Sequence, residues 1–178
     1  NNDGDYFFGR FINNKENLRN DFTIFRASDS ARTIVIPAGI YSFRETLIGI
    51  TLGSQRALSG RLDTRWGDYY DGERVRILIN TNWRPNRNLQ ITTQYIQNKI
   101  KLPQGNFTTR LFSINTQITF SATLSWANLI QYDNVSETMG INSRLHWIPE
   151  AGQQAFLVLN SRILIRTMYL NRPLPIYR

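Results

Sequence analysis

Arg74-Val75-Arg76-Ile77-Leu78-Ile79-Asn80-Thr81-Asn82-Trp83 is the stretch whose reading decides the fold. Val75, Ile77, Ile79, Thr81 and Trp83 alternate with Arg76, Leu78, Asn80 and Asn82. A period of two places one set on each side of an extended strand, one side oily and the other polar. A helix of the same length would scatter these apolar residues around its circumference.

Working outward, the same split recurs. In 57–66, Leu58, Leu62, Thr64 and Trp66 oppose Ser59, Arg61, Asp63 and Arg65. Leu89, Ile91, Thr93 and Tyr95 oppose Gln90, Thr92 and Gln94; Phe112, Ile114, Thr116, Ile118 and Phe120 oppose Ser113, Asn115, Gln117 and Thr119. Ile141, Ser143, Leu145 and Trp147 oppose Asn142, Arg144 and His146. These runs exceed the roughly five or six residues usual in soluble strands. The expected fold is all-β, an antiparallel transmembrane barrel of about eight to ten strands, either closed by itself or part of a larger barrel. A soluble β-sandwich or open barrel also alternates, and is the competing fold.

The connections are expected to alternate between tight turns (84–88, 121–123, 149–153) and longer, more polar loops (67–73, 97–106, 133–140). Short turns at one rim and long loops at the other are the habit of outer-membrane barrels. Trp66, Tyr69, Tyr70, Trp83, Tyr132 and Trp147 fall near strand ends, where aromatic rings form interfacial girdles. The opening residues are harder to read. Residues 6–12 and 18–26 are candidate strands, and 41–52 shifts phase midway, as a bulge requires. At the other end, 162–170 alternates Ile163, Ile165, Thr167 and Tyr169 against Arg162, Leu164 and Arg166.

The 178 residues fit one domain, with no linker-like composition shift; residues 1–32 are the least legible part. Cysteine is absent, so disulfide and thiolate-metal chemistry are excluded. A net charge of +8 suits an anionic partner such as nucleic acid, lipopolysaccharide or an acidic glycan. No apolar run approaches the roughly 20 residues of a membrane-spanning helix. The mean hydropathy of −0.37 is compatible with a barrel, because half of its side chains face a polar interior. Asn1-Asn2-Asp3-Gly4-Asp5 has neither a starting Met nor a secretion signal, which reads as a processed or excised chain.

Several segments resemble the barrel region of large bacterial outer-membrane proteins that carry an N-terminal family-nine-type carbohydrate-binding domain and a C-terminal barrel of uncharacterised function. They are 35–43 (Val-Ile-Pro-Ala-Gly-Ile-Tyr-Ser-Phe), 58–60 (Leu-Ser-Gly), 66–72 (Trp-Gly-Asp-Tyr-Tyr-Asp-Gly), 102–110 (Leu-Pro-Gln-Gly-Asn-Phe-Thr-Thr-Arg), 131–136 (Gln-Tyr-Asp-Asn-Val-Ser) and 144–149 (Arg-Leu-His-Trp-Ile-Pro). In order and spacing they cover roughly 33–160. Two departures stand out: the family places a longer loop after 156–160 and ends its last strand in an aromatic residue, whereas here Arg162 follows at once and the chain ends in Arg178. The carbohydrate-binding domain has no counterpart in the chain, so sugar recognition is not carried over. The resemblance implies a barrel in the bacterial outer membrane, partnered by outer-membrane lipid and lipopolysaccharide, and by envelope subunits or the domain that precedes it in the family.

Candidate sites follow from the alternation. Arg61, Asp63, Arg65, Arg76, Asn80, Asn115, Gln117, Asn142 and Arg144 share the polar phase and are expected to line the lumen. They form either an anion-selective conduit or, as the alternating signs of Arg61, Asp63 and Arg65 favour, a salt-bridged plug. Trp66, Tyr69, Trp83, Tyr132 and Trp147 are the expected interfacial aromatics. Asp68, Asp71 and Glu73, and separately Asp3 with Asp5, offer carboxylates to a divalent cation but lack a calcium-loop spacing. His146 is the single histidine and has no companion for zinc or for a hydrolytic triad. The expectation is therefore no enzyme, no catalytic residue, no metal and no cofactor. Nucleic-acid binding is disfavoured because the arginines are dispersed over many strands. The expected role is passive: pore, scaffold or membrane anchor of a surface glycan-handling protein or envelope complex. The alternative is a soluble sandwich or open barrel that binds an anionic polymer.

Overall fold

Each alternating run becomes one long strand in the computed structural model, which describes residues 4–28 and 32–165. The described strands are β1 (Tyr6–Leu18), β2 (Phe22–Arg26), β3 (Thr33–Ile36), β4 (Gly39–Leu52), β5 (Leu58–Tyr69), β6 (Gly72–Asn86), β7 (Leu89–Leu102), β8 (Gly105–Thr119), β9 (Leu124–Asp133), β10 (Thr138–Trp147) and β11 (Ala155–Leu164). No helix occurs among the described residues. Nine strands form one antiparallel sheet in the order β1-β4-β5-β6-β7-β8-β9-β10-β11, while β2 and β3 make a separate hairpin within the β1–β4 connection. The sheet is not closed: β1 and β11 are its edges, where closure by hydrogen bonding between first and last strands was one expectation.

The register decides what the faces are. Leu62 lies opposite Ile50 on one side and Ile79 on the other; Ile79 opposes Tyr95, Tyr95 opposes Phe112, and Phe112 opposes Tyr132. Directly opposed residues point the same way, so the oily phases of successive strands merge into one apolar face. The polar phases merge likewise on the other face.

Where strands reach the rim that carries the β2–β3 hairpin, the chemistry inverts. Ile100, Leu102 and Phe107 belong to the polar face by parity, yet they pack there with Ile34 and Ile36 of β3 in a small buried core. Ile36 is wholly buried, and the Phe25 ring stacks on Phe107 with centroids 4.6 Å apart. The hairpin thus covers the polar face at one rim. Arg32 Nη2 fastens it by donating to the Asn106 carbonyl at 2.7 Å.

Several expectations need correction. Residues 41–52 carry no bulge: β4 pairs with β1 and β5 without a register shift. The apparent phase change arises because Phe43 and Leu47 are buried on the polar side, Phe43 against Tyr69 and Tyr70, whereas Ile48 and Ile50 serve the apolar face. The long polar loops are also absent. Tyr70-Asp71 and Pro103-Gln104 are two-residue links, because β5 to β8 continue as strand through the polar stretches taken for loop. Of 162–170, Arg162 to Leu164 belong to β11 and Ile165 ends the described chain; the remainder of that run lies outside the described residues.

Candidate functional site

All nine residues expected along a lumen fall on the polar face: Arg61, Asp63 and Arg65 from β5, Arg76 and Asn80 from β6, Asn115 and Gln117 from β8, Asn142 and Arg144 from β10. They are brought to one surface, but an unclosed sheet gives that surface no enclosed lumen.

That surface also carries an ion cluster, centred on Glu45, that the sequence reading missed. Glu45 of β4 is 2% exposed. It opposes Gly67 of β5, which in turn opposes Arg74 of β6. Because Gly67 has no side chain, Glu45 and Arg74 meet across the middle strand: Arg74 donates to Glu45 Oε1 from Nε at 2.9 Å and from Nη2 at 2.6 Å. Gly67 sits at φ +146°, and a Cβ there would collide with the Arg44 carbonyl oxygen. Asn14 donates to Glu45 Oε2 at 3.4 Å, and Arg65 lies 3.7 Å from the same oxygen. The Arg74 guanidinium also lies over the Tyr69 ring, 4.0 Å from its centroid.

A second pair lies further down β5. Arg61 Nε donates to Asp63 Oδ2 at 2.6 Å, and Asp63 is 3% exposed. Beside it Gly49 leaves room for the Phe8 ring, which covers the glycine and receives the Arg61 guanidinium 4.4 Å from its centroid. Arg10, Arg61, Arg65, Arg74 and Arg76 face Glu45 and Asp63 here, so cations outnumber carboxylates. The arrangement makes a net-positive, salt-bridged wall; among the described residues it offers no nucleophile–base pair.

Of the expected interfacial aromatics, Trp66, Trp83, Tyr132 and Trp147 lie on the apolar face near its two rims. Tyr69 does not. It is three residues after Trp66, hence of opposite parity, and packs on the polar side against Phe43 and Tyr70. Trp126, which the sequence reading passed over, also lies on the apolar face, opposite Leu145, with Nε1 donating to Ser143 Oγ at 2.8 Å. The alternation of Leu124, Trp126, Ile130 and Tyr132 around Asn128 is the signal that marks it.

Tyr70, in the β5–β6 link, holds its proton more tightly than a free tyrosine: burial comes first, then the hydrogen bond its hydroxyl donates to Glu16 Oε2 at 3.1 Å. Asp68, Asp71 and Glu73 do not converge; Asp71 instead accepts from Gln104 Nε2 at 2.5 Å. Asp5 is bound to Arg56 and to the Gly53 amide, and Asp3 lies outside the described residues. No group of three potential metal ligands occurs among the described residues. His146 stacks on Phe156 on the polar face, centroids 4.5 Å apart.

The fold and its surfaces define a class: an up-and-down antiparallel sheet, polar and charged on one face, apolar and aromatic-rimmed on the other. No family model, curated protein or solved structure matches the chain.

Proposed function

We propose that this chain is the wall of a bacterial outer-membrane β-barrel, with the apolar face toward lipid, and that its role is passive: a pore, a scaffold, or the membrane anchor of a surface glycan-handling protein. The observation that carries the reading is the exposure of the apolar face. Leu62, on a central strand, is 47% exposed, and Trp147 at a rim is 51% exposed.

The dimensions support it. Val75 to Trp83, Phe112 to Phe120, Leu124 to Tyr132 and Met139 to Trp147 are nine-residue tracts. Each spans about 27 Å along the strand, or about 20 Å when tilted, near the height of a lipid-facing band. Nine strands spaced about 4.8 Å apart give an oily area on the order of 1,000 Å². The largest apolar patch on a soluble monomer is typically about 300 to 600 Å². A sandwich would cover such a face with a second sheet, and the described β2–β3 hairpin sits on the opposite one.

Strand parity favours the larger barrel over the small closed one. Eight successive antiparallel pairings separate β1 from β11, so the two edges run in the same direction. An all-antiparallel closure needs an odd number of further strands between them. On this reading the chain is a barrel region of the kind whose sequence it resembles, and outer-membrane lipid is its first partner.

The test is gel migration in detergent with and without boiling, together with the oligomeric state in plain buffer. Faster migration of unboiled protein and aggregation without detergent support the proposal. A monomer soluble in plain buffer refutes it and points to the sandwich that binds an anionic polymer.

A further inference from the structure

The apolar face does not end alike at its two rims. At the rim away from the hairpin it finishes in Trp83, Trp126 and Trp147, and no strand carries a charge on that face there. At the hairpin rim the same side of β7 and β8 continues past Tyr95 and Phe112 into opposed pairs of another kind. Gln97 faces Arg110, Lys99 faces Thr108, and Lys101 faces Asn106. Lys99, Lys101 and Arg110 are exposed. Among the described residues neither lysine has an ion-pair partner: Glu73 opposes Lys101 in the register without closing a bridge. Arg110 is aimed rather than free-swinging, its Nε donating to Gln97 Oε1 at 3.2 Å and its backbone amide held by Asn134 Oδ1. On β1 and β4, Lys15 and Arg44 occupy the same side at the same rim.

We infer that Lys99, Lys101 and Arg110, with the Thr108 hydroxyl and Asn106 amide between them, form a docking site for the phosphates of a lipid headgroup. The inference rests on the membrane reading above. Three features carry it: the cations are continuous with the lipid-facing band, they project in the direction of that band rather than into the polar face, and they are confined to one rim. A lipid whose acyl chains lie along Tyr95 and Phe112 brings its headgroup to Arg110 and Lys99. Lys99 and Lys101 are about 7 Å apart along β7, a spacing that two neighbouring phosphate groups can span. The match is to a multiply phosphorylated headgroup, such as the bisphosphorylated lipid A of an outer leaflet. It sets the hairpin rim toward that leaflet and the tryptophan rim toward the other.

The full chain, inserted in phosphatidylcholine vesicles, is tested for retention of bisphosphorylated and of dephosphorylated lipid A by native mass spectrometry. Each cation near an anionic surface contributes roughly a fivefold factor, so the phosphorylated lipid is expected to be retained on the order of a hundredfold better. The preference should collapse in the Lys99→Gln/Lys101→Gln/Arg110→Gln variant, survive in Arg87→Gln at the other rim, and shrink with added salt. Equal retention of the two lipids, or an undiminished preference in the triple variant, overturns the site while leaving insertion intact. Failure of the wild-type chain to insert in any vesicle overturns the membrane reading, and this site with it.

Discussion

Replacing Glu45 by Ala is expected to cost about 3 to 5 kcal/mol, because a buried pair loses one partner and the other keeps its charge. The structure sets that scale. Arg74 spends Nε and Nη2 on one Glu45 oxygen and has a side chain only 15% exposed, so water replaces the lost acceptor poorly. Each charge-assisted bond is worth about 1.5 to 3 kcal/mol net. Glu45→Gln keeps an acceptor oxygen and should lose about half as much. The double variant Glu45→Ala/Arg74→Met removes both charges; it should be less destabilised than Glu45→Ala alone, with a coupling of about 2 kcal/mol between the positions. Urea unfolding in lipid vesicles, followed by tryptophan fluorescence, gives all three values. A cost for Glu45→Ala below about 1 kcal/mol, or additivity in the cycle, would refute the idea that this pair is buried and mutually dependent.

Leu62→Arg, on the apolar face, should destabilise the protein in bilayers by about 2 to 4 kcal/mol, whereas Asn80→Arg on the polar face should cost under about 1 kcal/mol in the same assay. Gly67→Ala should weaken folding by a few kcal/mol, since it adds a side chain at φ +146° against the Arg44 carbonyl; circular dichroism melting would register the loss. Phe107→Ala should open the small core under the hairpin by about 3 to 4 kcal/mol, read as faster hydrogen exchange at Ile34 and Ile36. Tyr70 should ionise above the range of a free tyrosine in an absorbance titration, and Tyr70→Phe should remove that late step. Its raised pKa favours the fold while the phenol stays neutral, so its contribution is complete below pH 10 and lost as pH rises beyond it.

The sequence made the phase of the central strands legible because within tracts such as Val75 to Trp83 and Phe112 to Phe120 a single requirement acts at each position: alternate residues serve one apolar face. Legibility fails where that requirement changes sides. Ile100, Leu102 and Phe107 bury themselves on the polar face under β3, so the polar stretches around them looked like loops while being paired strand. Residues 6–12 and 18–26 were legible as candidate strands, but not that the first runs on to Leu18 as β1, nor that Phe22–Arg26 folds back on Thr33–Ile36 as a hairpin inserted in the β1–β4 connection, which is a tertiary feature. Tyr69 was assigned by nearness to a strand end, although counting from Trp66 already places it on the other face. Glu45 escaped notice because its partner is two strands away, and only the register reveals that Gly67 lies between them.

The absence of cysteine makes the decisive experiment direct. Single cysteines are placed one at a time from Val75 to Trp83 in β6, labelled with an environment-sensitive fluorophore, and challenged with a quencher carried on the lipid acyl chains. Labels at Val75, Ile77, Ile79, Thr81 and Trp83 should be quenched, while those at Arg76, Leu78, Asn80 and Asn82 should remain bright. Uniform quenching, or none at any position in a chain that stays monomeric in plain buffer, would contradict the assignment of the apolar face to the bilayer.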